Sequence, residues 1–250
     1  MLIYNIFKMK KNVKIGCCGF PVSRKKYYEK FKVVEIQKTF YQIPEENILW
    51  KWREEAPEDF EFTLKVFQLI THPPSSPTYR KLKMKIEEKK IENYGFFKPT
   101  DEVFKAWELT EKAARILKSK ILIFQCPASF KQNDLNIKNM ERFFNSIKRD
   151  NFTFGWEPRG KWDEKIVEEI CKNLNLVHVV DPFKNESVYG VLKYWRLHGI
   201  GSYRYKFGDK EFSLLKEKIK KEKRNEIYVM FNNVYMEEDA SAFKKFIDGK

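Results

Sequence analysis

The sequence predicts an α/β fold, a single (β/α)8 barrel of the TIM type, on three observations. Eight short apolar runs, most of them β-branched or aromatic, recur along the 250 residues. Segments of helical character lie between many of them, and alternating strands and helices imply right-handed crossovers and a parallel sheet. Polar and charged residues collect at the C-terminal ends of the runs, the rim at which such barrels carry their sites.

The elements follow in order. The first run, residues 13–18, ends on Cys17 and Cys18. The second, 33–36, sets Glu35 opposite Val34 and Ile36, because successive side chains of a strand face opposite ways. Residues 44–55 read as a helix. The third run, 60–66, sets Lys65 opposite Leu64 and Val66. An inserted basic segment, 68–99, then separates this strand from its helix; it opens with THPPSSP, continues through YRKLKMKIEEKK, and is expected over the mouth. Thr100 is the N-cap candidate of a helix over 100–117, with Asp101 and Glu102 in its first turn and Val103, Phe104, Trp107, Ala114 and Leu117 on one side.

The fourth run, 121–125, ends on Gln125. In the fifth, 153–157, Thr153, Gly155 and Glu157 share a face and Phe154 and Trp156 take the other. A helix over 163–174 is marked by Ile166, Val167, Ile170 and Leu174. The sixth run, 177–181, ends on Asp181. In the seventh, 194–198, Tyr194, Arg196 and His198 oppose Trp195 and Leu197, and the HG-x-G at 198–201 stops the strand. Helices over 212–223 and 239–247 flank the eighth run, 227–232, whose parity the pattern leaves open. The barrel is expected to span 13–250 as one domain, after an N-terminal extension, 1–12. A doubly wound open sheet is the alternative, but it wants a G-x-G-x-x-G turn after its first strand, and IGCCGF is not one.

Composition narrows the partners. A formal charge of +14 favours anions, with nucleic acid first among them; a Lys-rich solvated surface is the competing reading. No apolar run approaches ~18 residues, so no membrane span is expected. The start, MLIYNIFKMKKN, puts its apolar patch before its charges, the reverse of a secretory signal. Cys17, Cys18, Cys126 and Cys171 include no C-x-x-C pair, and free thiols in a reducing cytoplasm are expected.

The polar strand ends define the expected site. Lys65, Arg159 and Arg196 are expected to clamp a phosphate or carboxylate. Glu157, His198, Glu35 and Asp181 are the catalytic candidates for acid–base work. Gln125, Asn232 and Tyr41 complete the substrate-binding set. No metal or other cofactor is expected; the one candidate, a single divalent ion at Glu35, Glu157, Asp181 and His198, has weak support. The chain has three histidines, and a multi-His centre is nearly excluded. His178 has the parity of a residue packed under a helix, and His72 suits a turn or cap at the head of the insertion.

Six ordered motifs carry a resemblance: VEIQKTFYQIP (34–44), FTLKVFQLITH (62–72), QCPASF (125–130), EPRGKW (157–162), YWRLHG (194–199) and YVMFNN (228–233). Over about residues 15–246 the chain resembles the YecE-like proteins, a family known as domain of unknown function seventy-two. The resemblance implies a TIM-like barrel similar in outline to sugar isomerases and DNA-repair endonucleases. It carries over Glu35, Tyr41, Lys65, His72, Gln125, Glu157, Arg159, Trp162, Asp181, Arg196, His198, Gly199 and Asn232. The chain departs from the pattern at Gly16–Phe20, where GCCGF replaces the usual G-T-S-G-W. It also departs at Gln68, where an Arg is usual, and at Gly160, where a His often follows.

Two functions compete. The first is an enzyme, hydrolase- or isomerase-like, acting on a phosphorylated or anionic sugar- or nucleotide-type substrate at the mouth. The second is a non-catalytic nucleic-acid-binding barrel using Arg80, Lys81, Lys83 and Lys85 beside Tyr79 and Tyr94.

Overall fold

A computed structural model describes residues 11–249. Eight parallel strands run β1 (Asn12–Cys18), β2 (Val33–Ile36), β3 (Glu61–Lys65), β4 (Ile121–Gln125), β5 (Thr153–Glu157), β6 (Leu176–His178), β7 (Lys193–Leu197) and β8 (Glu226–Phe231). Their order in the sheet is β6-β5-β4-β3-β2-β1-β8-β7, so β1 lies between β2 and β8. One isolated bridge, Val180 to Trp195, joins β6 to β7 and all but closes the ring. This is the (β/α)8 barrel the sequence predicts. Of the expected extension, residues 1–10 lie outside the described residues, and Asn12 already belongs to β1.

The helices are α1 (Arg24–Lys30), α2 (Lys38–Tyr41), α3 (Glu46–Glu55), α4 (Gln68–Thr71), α5 (Asp101–Ile116), α6 (Asp134–Ser146), α7 (Glu164–Asn173), α8 (Asp209–Lys221) and α9 (Met236–Asp248). Thr100 caps α5 as expected, its hydroxyl accepting from Val103 N. The insertion stands between β3 and α5, built from α4 and two 3-10 turns, Pro77–Lys81 and Glu88–Asn93. No helix follows β6. Residues 182–192 cover that flank as irregular chain, with Phe183 stacked on Phe207 at 5.5 Å.

Strand parity builds two cores. Leu122, Phe124, Phe154 and Trp156 face the helices, where Phe124 meets Phe144 at 4.9 Å and Phe154 meets Trp107 at 5.5 Å. Each such ring taken wholly from water contributes about 1.5–3 kcal/mol. The inner set is smaller and includes Val33, Ile121, Ile123, Val177, Val179, Tyr194 and Met230. Gly155 belongs to it; a Cβ there would stand 2.7 Å from Val179 Cγ2 and 2.9 Å from Ile123 Cδ1. Tyr228 and Met230 join the inner set, which settles the parity of β8.

Candidate active site

Inward parity at the C-terminal ends of β2, β3, β5 and β7 brings Glu35, Lys65, Glu157 and Arg196 together. Arg196 is fully buried and spends its guanidinium on two carboxylates. Its Nε donates to Glu35 Oε2 at 3.1 Å, its Nη2 to Glu35 Oε1 at 2.9 Å, and its Nη1 to Glu157 Oε2. The Tyr194 hydroxyl, 2.9 Å away, and Gln37 Nε2 complete the donors to Glu35. Such a charge-assisted fork fixes geometry strongly. Burial alone would raise the Glu157 carboxyl, but Arg196 and Arg159 outweigh it and hold the group at about 2.

A second assembly adjoins the first. Arg159 donates from Nε to Glu157 Oε1 at 3.1 Å, from Nη2 to His198 Nε2 at 2.6 Å and from Nη1 to the Tyr203 hydroxyl at 3.3 Å. Arginine can only donate, so Nε2 of His198 accepts and Nδ1 carries the proton. Nδ1 lies 3.4 Å from Asp181 Oδ2, which also accepts from the His198 backbone N–H at 3.1 Å. Burial lowers the His198 pKa below its usual value despite the Asp181 and Glu157 carboxylates, and the ring stays neutral at neutral pH.

Lys65 is different. It is buried, yet among the described residues its ammonium has no carboxylate or hydrogen-bond partner. Its contact is the face of Phe40, 3.5 Å from the ring centre. Burial and the Arg196 charge bring its pKa down to about 7.

Two cavities open at this rim. One, about 490 Å³, is lined by Lys65, His72, Gln125, Tyr41 and Asn232 among others; the other, about 430 Å³, by Asp181, Lys184 and His198 among others. Arg159 and Tyr203 line both and form the bar between them. Every substrate-binding and catalytic candidate except Glu35 therefore lines a mouth cavity, and Glu35 lies beneath, behind Arg196.

Arg196, expected to clamp an anion, gives the three donor bonds described above to Glu35 and Glu157 and also lines the larger cavity. The divalent-ion site is not assembled: a guanidinium lies between those carboxylates, and no group of three or more His, Cys, Asp or Glu is placed to hold a metal among the described residues. His72 takes the expected capping role, its backbone N–H donating to Gln68 O at the end of α4 at 2.8 Å. Its Nδ1 pairs with Thr71 Oγ1 at 2.8 Å, its ring meets Phe40 at 4.8 Å, and burial with Lys65 nearby lowers it to about 3. His178 packs outward as expected, but beneath irregular chain, its Nδ1 accepting from Val188 N at 3.3 Å.

Arg80, Lys81, Lys83 and Lys85 are exposed, and Lys81 lies over Tyr41 at 4.4 Å. The tyrosines expected to stack bases beside them are occupied: Tyr94 is buried, and Tyr79 donates its hydroxyl to His72 O at 2.9 Å. Sequence reasoning missed Tyr203 and Gln37. Tyr203 follows the HG-x-G turn by two residues, which was its only signal.

Fold and site together define a (β/α)8 barrel whose C-terminal mouth holds a paired ionic cluster, an oriented imidazole and a buried lysine without an ion-pair partner among the described residues. The chain belongs to the family described as protein of unknown function DUF72, whose model matches residues 23–248. A DUF72 protein from Enterococcus faecalis superposes with a TM-score of 0.71 at 18% identity, over 96% of this chain and 98% of that one. One from Thermotoga maritima gives 0.70 at 21% identity, over 94% and 99%. A protein from Salmonella typhimurium described as containing a xylose isomerase domain gives 0.62 at 12% identity, over 96% and 99%. At these identities the likeness is one of fold. No curated protein matches the chain in sequence. Among the described residues no helix is long and apolar enough to cross a membrane.

Proposed function

We propose that the protein is an enzyme acting by acid–base chemistry on a small anionic, hydroxyl- or carbonyl-bearing substrate of sugar-phosphate type. The observation that carries this is Arg159. Its side chain is 34% exposed, it lines both mouth cavities, and it keeps one hydrogen on each of Nη1 and Nη2 uncommitted among the described residues. A phosphate or carboxylate can take that pair of donors bidentately. Lys65 adds positive charge to the same cavity.

Asn232, Gln125 and Tyr41 supply neutral partners for hydroxyl groups. His198 does the proton transfer: Asp181 orients it, and its neutral Nε2 is the basic nitrogen facing the mouth, beside Arg159. In this reading Glu157 holds charge and position, because a carboxyl held at about 2 is too weak a base at neutral pH, and Glu35 serves as the buried acceptor of Arg196. The fold shared with the Salmonella xylose isomerase domain protein is in keeping with a sugar-type ligand.

Calorimetric titration tests the reading. Ribose 5-phosphate should bind and ribose should not. Arg159→Ala should weaken binding ~10- to 100-fold, the range for losing one charged hydrogen bond. No binding of any phosphorylated sugar, or equal binding by the variant, would sink the proposal.

A further inference from the structure

We propose that Lys65 is an amine nucleophile that condenses with the carbonyl carbon of an anionic, open-chain sugar-type substrate to form a protonated imine. The inference rests on the mouth being the substrate site and adds a covalent step there.

Two other strand lysines, half-buried Lys14 and buried Lys193, are tied down. Lys14 meets Glu61 at 2.6 Å and Glu226 at 2.7 Å, and Lys193 donates to Ser187 O at 2.8 Å with Glu222 at 3.4 Å. Among the described residues Lys65 has only the Phe40 ring, at 3.5 Å, as a partner, and it opens onto a cavity of about 490 Å³. The charged and titratable groups around it are Glu35 from β2, Glu157 and Arg159 from β5 and its end, Arg196 from β7, and His72 beyond α4. Both carboxylates are already engaged by guanidinium groups. Burial and the Arg196 charge therefore prevail, and much of the amine is free at neutral pH. A desolvated lysine beside fixed cations is an established way to make that nucleophile.

The step balances without an oxidant or reductant. The Nζ lone pair forms the N–C bond while the carbonyl π pair moves to oxygen. Oxygen gains a proton and nitrogen loses one, giving a carbinolamine. A further proton from solvent lets the hydroxyl leave as water as the C=N bond closes. The iminium draws electrons from the neighbouring carbon, which prepares it for the proton transfer assigned to His198.

The test is reductive trapping. The full chain is incubated with dihydroxyacetone phosphate or ribose 5-phosphate and sodium cyanoborohydride, then weighed intact and peptide-mapped. Binding of the same ligands is measured by calorimetry without reductant. One adduct per chain is expected, a gain of one ligand less one oxygen atom, on the Lys65 peptide. Its rate should rise between ~pH 6 and ~pH 8, below the range in which exposed lysines lose their protons. Lys65→Arg and Lys65→Met, checked for folding by circular dichroism, should both abolish it. Ligand that binds without an adduct, or label spread over exposed lysines, overturns the inference and leaves the site reading intact. Ligand that neither binds nor adds overturns both.

Discussion

Replacing Arg196 with Met would leave two buried carboxylates, Glu35 and Glu157, without the guanidinium that neutralises both. Removing one partner from a buried ionic cluster costs about 3–5 kcal/mol. Linkage gives a consistent figure. Glu157, held at about 2 against an ordinary 4.5, carries about 3 kcal/mol of coupling to its surroundings. Arg159 stays beside Glu157 and places the expected loss near the lower end of that range. For a chain of this size it corresponds to a fall in Tm of roughly 6–12 °C.

The folded-state value of Glu157 lies below the unfolded one. Its stabilisation is therefore complete above about pH 4.5 and is lost as the pH falls through about 2. Urea unfolding followed by tryptophan fluorescence should show the gap between wild type and Arg196→Met at neutral pH, and should show it narrow on acidification. A gap under ~1 kcal/mol at neutral pH, or one that acid leaves unchanged, would refute the reasoning.

Two further outcomes are expected. All four cysteines are buried, with burial pushing Cys17 and Cys171 up to about 12 and raising Cys18 and Cys126 as well. Ellman's reagent should find no fast thiol in the folded protein and all four in urea; one rapid native reaction would contradict this. Thr100→Ala removes the cap to Val103 N and the 2.7 Å bond to Asn93 O that ties the insertion to α5, at a cost of about 1–2 kcal/mol in urea unfolding. A neutral substitution would mean that this cap carries no weight.

The barrel was legible because a period of two is strict. Once Glu157 and Gly155 share a face with Thr153, the partition of β5 into inner and outer side chains is fixed. Four helices lie outside the sequence reading; α2 and α4 are four residues each, too short for a periodic pattern, and α1 and α6 have different reasons. In α6, Met140, Phe143 and Phe144 are buried at helical spacing beside half-buried Ile137, a signal that was present and not used. In α1, seven residues with buried Tyr27 and Tyr28 form too short a pattern to stand out. The missing helix after β6 was hidden because Pro182 and Gly190 punctuate the segment without showing what replaces the helix. Parity located the polar rim but not its pairings. Whether Arg196 meets a ligand or Glu35 depends on how strands 161 residues apart in sequence converge across the barrel.

The unequal wall of the barrel has a consequence for how such a site can change. Asp181 and His198 stand beside the seam, where a lone bridge and irregular chain take the place of a full ladder and a helix. The Glu35–Arg196–Glu157 knot is anchored by strands paired along their length on the other flanks. Insertions or substitutions across 182–192 can therefore reshape the smaller compartment while the charge lattice keeps its form. On the proposed reading, ligand preference and structural integrity are housed in separate stretches of the same ring, and each is free to drift at its own pace.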